Sequence, residues 1–304
     1  MRIASLAELR DLAAKVGPKK ISVANPAEDE IFEALRDAYN LKMIKGFLVG
    51  PKDIIEPFAK KHSLNPPDFQ IIDCQAGDDA SQTAVKLVRE KTADFLMKGT
   101  VSTSQFLKAV LNKDSGLRKE GHLLSHVAIH EIPGFSRLLI ITDAAFNIKP
   151  NLEEKAQIID NAIKVANVIG VEKPRVACVA AIEKVNPKIA STVDAAELAN
   201  MAKHGRFKHA FVEGPFGFDN AVDEHSAQIK GVKGDVAGKA DIILAPDMDS
   251  GNVIYKTLTT MAHSIVAAVV VGTTAPVILT SRADSEETKL TSLALGVLDA
   301  HYSY

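Results

Sequence analysis

Short apolar runs that alternate with helical segments constrain the fold of this chain more than any other feature of its sequence. The runs at residues 21–24, 44–49, 69–74 and 95–97 are each followed by a segment with the apolar spacing of an amphipathic helix. Two parallel strands need a long crossover between them, usually a helix, whereas a tight turn joins only antiparallel strands. The alternation therefore predicts parallel βαβ units and an α/β fold.

Two helix starts are predicted from residues that commonly cap helices. Asn25 and Pro26 follow the first apolar run and fit the N-cap and first-turn positions of the next helix. Asp284 and Glu287 have the D-x-x-E spacing of a capping box ahead of the last helix, which we expect over 286–298. For Asp284, this capping role is the structural alternative to a role in chemistry.

The alternation is interrupted in the middle of the chain. Apolar runs at 123–131 and 138–142 are separated by Ile132-Pro133-Gly134 with no helix between them. This pattern is typical of an antiparallel pair or of the passage into a second domain. Alternation then resumes as far as residue 298, and 304 residues is long for one domain. Since no flexible linker separates the two blocks, we expect two α/β domains that share a cleft.

Charge and composition exclude several classes of function. The 36 basic and 38 acidic residues give a net charge of −2, without the basic excess that attracts nucleic acids or anionic membranes. The longest apolar run, Ile265–Val271, is far shorter than the roughly 20 residues that span a bilayer. Glu8 and Asp11 interrupt the N-terminal apolar pattern, so we expect no signal peptide and a cytoplasmic location. Cys74 and Cys178 are expected to be buried free thiols.

Polar clusters follow five of the predicted strands, and in open α/β sheets ligands bind at the carboxyl ends of strands. The clusters lie at 98–104, 142–143, 213–216, 246–252 and 280–285. The first combines a lysine, a glycine and four hydroxyls ahead of a helix, which suits a phosphate but also fits a simple N-cap with solvated neighbours. In the last, Arg282 could hold a phosphate or carboxylate, and the Ser281 hydroxyl could hydrogen-bond an oxyanion.

Two other patterns are similar to known motifs but fail their requirements. The segment 234–240 has one residue too few between its glycines for a Walker A loop and no Ser or Thr after the lysine. His122, His126 and His130 recur every four residues, but the last two lie in an alternating run typical of a strand. We therefore interpret them as strand or surface histidines and predict no metal site.

Taken in order, the clusters form a familiar set of motifs. They are M-K-G-T-V-S-T-S at 97–104, I-T-D-A-A-F-N-I-K-P-N at 141–151, E-G-P-F-G-F-D-N-A-V at 213–222, A-P-D-M-D-S-G-N-V-I-Y-K at 245–256 and P-V-I-L-T-S-R-A-D-S at 276–285. This set resembles the phosphate acetyl/butyryltransferase family from about residue 20 to the C-terminus. The T-S-R-A-D-S segment and the D-x-x-x-G-N-V-x-Y-K segment are most similar to its phosphate butyryltransferase branch.

The resemblance implies an architecture. It implies two α/β/α domains of the isocitrate/isopropylmalate dehydrogenase-like type with an active site in the interdomain cleft, and a homodimer. The first domain would comprise residues 1–133 and 278–304, and the second would comprise 134–277. No metal and no tightly bound cofactor are expected, because coenzyme A would be a substrate.

The resemblance also implies a reaction, acyl-CoA + phosphate ⇌ acyl phosphate + CoA, with butyryl or another short-chain acyl group. We expect direct transfer in a ternary complex without an acyl-enzyme. Ser281 would stabilise the transition state or the thiol, and Arg282 would hold an anionic group. Asp284 would be the base toward the CoA thiol, although the spacing known in acetyltransferases falls nearer Glu287 or Thr288.

The expected substrate-binding residues come from the other matched motifs. They are Lys98, Gly99, Thr100, Ser102, Thr103, Lys108, Asp143, Gly251 and Asn252. Lys108 stands where acetyltransferases carry an arginine, and it offers a point charge without the bidentate fork of a guanidinium.

Three alternative functions remain open from the sequence. The first is a phosphate acetyltransferase, since acyl chain length cannot be read from these motifs. The second is a metal- and NAD-dependent dehydrogenase on the same fold, for which the candidate ligands are Asp219, Asp223, Asp247 and Asp249. The third is a non-catalytic two-domain protein that closes over a small molecule.

Overall fold

The structure is a computed structural model that describes residues 2–64, 67–280 and 284–303. Helices and strands alternate along most of the chain, as the apolar runs predict. In chain order they are α1 Leu6–Val16, β1 Lys19–Ala24, α2 Asp29–Asn40, β2 Ile44–Gly50, α3 Lys52–Lys61, β3 Phe69–Asp73, α4 Asp78–Arg89, β4 Phe95–Lys98, α5 Thr103–Val110, β5 Ser125–Glu131, β6 Leu139–Thr142, α6 Leu152–Val168, β7 Arg175–Val179, α7 Ala190–Lys203, β8 Phe211–Phe216, α8 Phe218–Val222, α9 Glu224–Ile229, β9 Ile242–Leu244, α10 Met248–Thr260, β10 Ile265–Val271, β11 Val277–Ile278 and α11 Glu286–Tyr302.

The chain divides into two compact units. The first unit comprises Leu6–His122 and the segment from Val266 to the C-terminus, and the second comprises Leu123–Ile265 and the residues up to Ser5. The predicted division instead placed 123–133 in the first domain and 266–277 in the second. The structure groups these segments the other way, because β5 pairs with β6 and β11 pairs with β4.

The first unit is built on a sheet with the strand order β3-β2-β1-β4-β11-β10. All neighbours are parallel except β10, which runs antiparallel to β11. Helix α11 packs against α1 and α2, and every residue of its stretch 288–300 is buried. A helix buried all round shows no amphipathic stripe in its sequence.

The second unit has the strand order β5-β6-β9-β7-β8. Strands β5 and β6 form the antiparallel pair expected from the interruption at Pro133, and the remaining neighbours are parallel. Leu139, Ile141 and Ile243 belong to the apolar core under α8, α9 and α10. This arrangement brings the carboxyl ends of β6, β7 and β9 to one edge of the sheet.

Both predicted helix starts are wrong in detail. Helix α2 begins at Asp29, because Asn25 adopts a φ of 53° at the end of β1 and cannot be its N-cap. The N-cap of α11 is Ser285, whose hydroxyl accepts a hydrogen bond from the Thr288 N–H, so Asp284 does not cap that helix. The segment after β8 forms two short helices, α8 and α9, which are divided at Asp223, whose side chain caps α9.

The two cysteines differ in burial. Cys178 is buried, and burial raises the pKa of its thiol to about 12. Cys74 is only partly buried, which corrects the expectation of two buried thiols, and the pKa of its thiol is also raised by burial. Across the described residues, no helix combines the length and apolar character that crossing a bilayer requires.

Candidate functional site

The loop after β4 is fixed to the end of β1 by its own backbone. The Gly99 N–H donates to the Ala24 carbonyl at 2.9 Å, and the Thr100 N–H donates to the Asn25 carbonyl at 2.8 Å. A Cβ at Gly99 would lie 2.4 Å from the Asn25 carbonyl oxygen, so only glycine permits this approach. The loop therefore leaves the sheet in one defined direction, with Lys98 at its base.

Lys98 and Thr100 place an ammonium and a hydroxyl at this strand end. The Lys98 side chain is buried, and its Nζ donates to the Gly99 carbonyl at 3.0 Å. The Thr100 Oγ1 donates to the Asn25 carbonyl at 2.8 Å and accepts from the Asn25 Nδ2 at 2.7 Å. A buried ammonium favours a nearby anion, because no bulk water screens its charge. Asn25 was missed as a site residue, although an Asn-Pro pair directly after a strand was visible in the sequence.

Ser102 and Thr103 begin helix α5. The Ser102 hydroxyl accepts from the Gln105 N–H at 3.2 Å, so the N-cap interpretation of this cluster is confirmed for Ser102. Thr103 is exposed in the first turn, and Lys108 is exposed in the last turn of the same helix. The N-terminus of α5 and the buried Lys98 thus lie five residues apart on one continuous loop.

Strand β11, which precedes the last predicted cluster in the chain, lies beside β4. Val277 pairs with Leu96 and Ile278 pairs with Met97, so β4 and β11 end together. Ser281 and Arg282, the residues expected to carry the chemistry, lie outside the described residues. Thr280, just before them, is buried.

The described residues after this gap include Asp284 and Glu287, the two candidates for the base, and Thr288, which lies at the spacing known in acetyltransferases. Asp284 is half-exposed, and its carbonyl accepts a hydrogen bond from the buried Nζ of Lys289. Glu287 is exposed and lies 3.5 Å from Arg10. Thr288 is buried in the first turn of α11. Asp284 is therefore the carboxylate nearest in the chain to Arg282, while the Glu287 side chain faces another helix.

In the second unit, Asp143 organises the loop that follows β6. One carboxylate oxygen accepts the N–H groups of Ala145 at 2.8 Å and Phe146 at 3.1 Å, and the other accepts the side-chain amide of Asn147. Asp143 is buried, and both oxygens of its carboxylate accept hydrogen bonds that hold the conformation of its own loop. It is a positioning group here rather than a free anion.

Helix α10 brings two further predicted residues to the same loop. A Cβ at Gly251 would lie 2.1 Å from the Asp143 carbonyl oxygen, so the helix contacts the loop backbone directly. The Asn252 Nδ2 donates to the Ala144 carbonyl at 3.1 Å. Asp247 caps the helix by accepting from the Ser250 N–H at 2.8 Å. The structure thus brings Asp143, Gly251 and Asn252 together, although more than a hundred residues separate the loop from the helix.

His126, His130 and Tyr255 form a buried aromatic cluster next to the strand that precedes this loop. This cluster was not predicted from the sequence. The rings of His126 and His130 on β5 lie 5.9 Å and 5.2 Å from the ring of Tyr255 on α10. The Thr142 hydroxyl, one residue before Asp143, donates to the His126 carbonyl at 2.8 Å. His126 and His130 lie in a strand and are buried, and His122 is exposed, so the prediction of strand or surface histidines is confirmed.

The motifs rejected in the sequence have structural roles. Glu213 accepts the N–H groups of Asp235 at 3.1 Å and Val236 at 3.2 Å, so a carboxylate occupies the loop that is similar to a Walker A segment. Asp219 pairs with Lys230 at 2.9 Å, and Asp223 and Asp247 cap helices. Among the residues that the structure describes, no group of histidine, cysteine, aspartate or glutamate side chains could hold a metal ion.

Taken together, the fold and the site define an α/β protein with polar, anion-suited loops at the carboxyl ends of its parallel strands. Residues 75–297 match the sequence profile of the phosphate acetyl/butaryl transferase family. The chain is 47% identical over 293 residues to the phosphate butyryltransferase of Clostridium beijerinckii, which covers 96% of this chain and 97% of that protein. It therefore belongs to the phosphate acetyl/butaryl transferase family.

Two further relatives agree with this assignment. The phosphate acetyltransferase of Thermotoga maritima is 42% identical over 282 residues, which cover 93% of this chain and 95% of that protein. The crystal structure of a branched-chain phosphotransacylase from Enterococcus faecalis V583 superposes with a TM-score of 0.82 at 31% identity. The superposition covers 93% of this chain and 99% of the phosphotransacylase chain. The α/β fold of this chain is thus that of phosphotransacylases.

Proposed function

We propose that this chain is a phosphate acyltransferase that interconverts acyl-CoA and phosphate with acyl phosphate and CoA, using butyryl or another short acyl group. The observation that carries the proposal is family membership along nearly the whole chain, which includes every strand-end loop described above. The butyryltransferase branch is favoured over the acetyltransferases by its higher identity to this chain.

The reaction makes three demands on the protein. It must bind a phosphate dianion, orient the thiol of CoA against an acyl carbonyl, and stabilise the charge that develops on the carbonyl oxygen. Lys98, Thr100 and the N-terminus of α5 at Thr103 support the first demand, because they offer an ammonium, a hydroxyl and backbone N–H groups on one loop. We assign Gly99, Ser102 and Lys108 to the same substrate-binding surface.

We assign the chemical step to the segment after β11. Arg282 holds the phosphate or the anionic intermediate, Ser281 donates to the developing oxyanion, and Asp284 accepts the thiol proton. The support is the family motif, the common end of β4 and β11, and the half-exposed position of Asp284. Asp143, Gly251 and Asn252 contribute a second substrate-binding surface, where the loop after β6 contacts α10.

Direct transfer without an acyl-enzyme is supported by the state of the thiols. The pKa of Cys178 is raised to about 12 and that of Cys74 is raised as well, in both cases mainly by burial. A thiol attacks as its thiolate, so neither cysteine is prepared as a nucleophile near neutral pH.

We also propose the assembly and setting that the family resemblance implies. These are two α/β/α domains of the isocitrate/isopropylmalate dehydrogenase-like type, a homodimer and a cytoplasmic location, with no tightly bound cofactor. The dehydrogenase activity found on that type of fold is disfavoured, because Asp219, Asp223 and Asp247 are already bound to Lys230 or to helix N-termini.

The test is release of free thiol from acetyl-, propionyl-, butyryl- and isobutyryl-CoA in the presence of phosphate. We expect the highest kcat/KM with a four-carbon acyl group and no change on adding EDTA. Arg282→Ala should lower kcat at least 100-fold, equivalent to about 2.7 kcal/mol, with an unchanged melting temperature. Arg282→Lys keeps the charge and should recover part of that loss. Absence of thiol release with every acyl-CoA would refute the proposed function.

A further inference from the structure

A cavity of about 630 Å³ lies within the second unit, at the carboxyl ends of β7 and β9. Ala180 and Ala181, which directly follow β7, form one side, and Pro246 and Asp247, which follow β9, form another. Its volume is within the range of roughly 300–1,000 Å³ that is usual for small-molecule sites. None of the predicted substrate-binding residues lines it.

The cavity coincides with the topological switch point of this sheet. Strands β9 and β7 are neighbours, but the chain leaves them in opposite directions. After β7 it continues into α7, which packs on β7 and β8, and after β9 it continues into α10, which packs on β6. Connections that diverge from adjacent parallel strands open a crevice between them, and ligands of open α/β sheets bind in that crevice.

The polar groups around the cavity favour an anion. Helix α7 opens on it at Ala190 and Ser191, and the preceding Ile189 supplies no side-chain cap. The Thr192 N–H already donates to the Ile189 carbonyl at 2.9 Å, so the groups that face a ligand are the N–H groups of Ala190 and Ser191, where the helix dipole favours negative charge. The first turn of α10 differs, because the Asp247 carboxylate already accepts from the Ser250 N–H.

Two lysines add positive charge to the same space. Lys155 is buried, with its Nζ 2.6 Å from the Asp194 carboxylate, and Lys149 is an exposed residue that also lines the cavity. Asp194 balances Lys155, and Asp247 is bound to α10. Lys149 and the N-terminus of α7 therefore remain to attract an anionic group.

The remaining walls are apolar and too extensive for an inorganic anion alone. Val179, Ile254 and the partly exposed ring of Phe218 line the cavity together with the alanines after β7. We infer that this cavity binds a nucleotide, with a phosphate at the N-terminus of α7 and Lys149, and the nucleoside against the apolar wall. If the proposed function holds, the adenosine phosphate of CoA is one source of this chemistry. A free nucleotide is the other.

The inference is tested by calorimetric titration of the full-length protein with adenosine 3′,5′-bisphosphate, AMP and inorganic phosphate. Ser191→Glu places a carboxylate in the first turn of α7, where acidic residues stabilise a helix, so the variant should fold. We expect it to weaken nucleotide binding at least tenfold. Asn200→Glu makes the same charge change at an exposed position later in α7, outside the cavity, and should leave binding unchanged.

Steady-state kinetics distinguish the two sources. A rise in KM for acyl-CoA that parallels the loss of bisphosphate affinity in Ser191→Glu identifies the ligand as the nucleotide of the substrate. Loss of AMP affinity with an unchanged KM identifies a separate nucleotide. Either result supports the inference. The inference fails if no nucleotide binds, if only inorganic phosphate binds, or if both variants bind like the wild type. Binding without any acyl transfer would instead refute the proposed function alone.

Discussion

The imidazole of His130 is enclosed on β5 between Tyr255 and Ser264, with its Nδ1 3.0 Å from the Ser264 hydroxyl. Burial, and to a smaller degree the neighbouring His126, lowers the pKa of His130 from its ordinary 6.5 to about 3. The unfolded chain binds this proton below pH 6.5, whereas the folded protein does not until near pH 3. Its contribution to stability is therefore complete above pH 6.5 and is lost as the pH falls toward 3.

We expect His130→Leu to reduce this acid sensitivity. Protonation of the unfolded imidazole favours unfolding by about 2 kcal/mol at pH 5. The decrease in the free energy of unfolding from pH 7.5 to pH 5 should accordingly be about 2 kcal/mol smaller in the variant, as measured by urea denaturation. His209→Leu, at an exposed histidine, should behave like the wild type. Equal pH dependence in the wild type and His130→Leu would contradict this account.

Lys98 provides a second prediction at the scale of one residue. Its buried ammonium lies at the base of the loop to which we assign phosphate binding. Lys98→Met keeps the side-chain length and removes the charge, so kcat/KM for phosphate should fall about 100-fold with little loss of stability. Lys113→Met removes an exposed lysine in the same unit and should leave the kinetics unchanged. Normal phosphate kinetics in Lys98→Met would remove Lys98 from the site.

At the scale of elements, the contact between α10 and the loop after β6 depends on the absence of a side chain at Gly251. In Gly251→Ala, the new Cβ would lie 2.1 Å from the Asp143 carbonyl oxygen, so helix and loop must separate. We expect the variant to lose about 1–3 kcal/mol of stability and at least tenfold in kcat/KM. Thermal unfolding and acyl-CoA kinetics measure both effects. Val253→Ala, at an exposed position of α10, is the matched control.

Elements with a clear local pattern could be predicted from the sequence. The strands β1, β2 and β4 and the antiparallel β5–β6 pair follow from apolar runs and from what separates them. Helix boundaries were harder to predict from the sequence, because several neighbouring residues could adopt the backbone dihedral angles of an N-cap. Asn25 took a left-handed conformation, and Ser285 rather than Asp284 capped α11.

The candidate site was predictable only where its residues are close in sequence. The loop from Lys98 to Thr103 is one continuous motif, and its position after a strand was sufficient to identify it. The contact of Gly251 with the Asp143 loop joins segments 108 residues apart, as does the hydrogen bond from Asn252 to Ala144. Burial of His126 and His130 likewise depends on Tyr255 in a distant helix, which no local pattern of β5 contains.

At the scale of the whole molecule, the N-terminal residues belong to a different unit from the helix that follows them. Arg2 lies 2.6 Å from the buried carboxylate of Asp241, and the Ile3 N–H donates to the Ile169 carbonyl at 2.9 Å. Asp241 also accepts from the Arg175 N–H at 2.9 Å. Through these contacts, Arg2 and Ile3 pack against the rest of the second unit.

We expect Arg2→Ala to destabilise the second unit selectively. Loss of the ion pair leaves a buried carboxylate with fewer partners, at a cost of about 1 kcal/mol because Arg2 itself is partly exposed. Hydrogen exchange measured by mass spectrometry should accelerate roughly fivefold in peptides from 123–265 and stay unchanged in 6–122. Arg10→Ala breaks an ion pair in the first unit and serves as the comparison. Uniform acceleration in both units would contradict the prediction.

The distribution of the chain between the two units also sets an order for folding during synthesis. Everything that the second unit contains has left the ribosome soon after Ile265, whereas the first unit still lacks β10, β11 and α11. Until β11 and α11 have been made, β4 has no neighbour on one side, and the apolar surface that α11 will cover is open to chaperones. The half of the protein made first is therefore the half completed last.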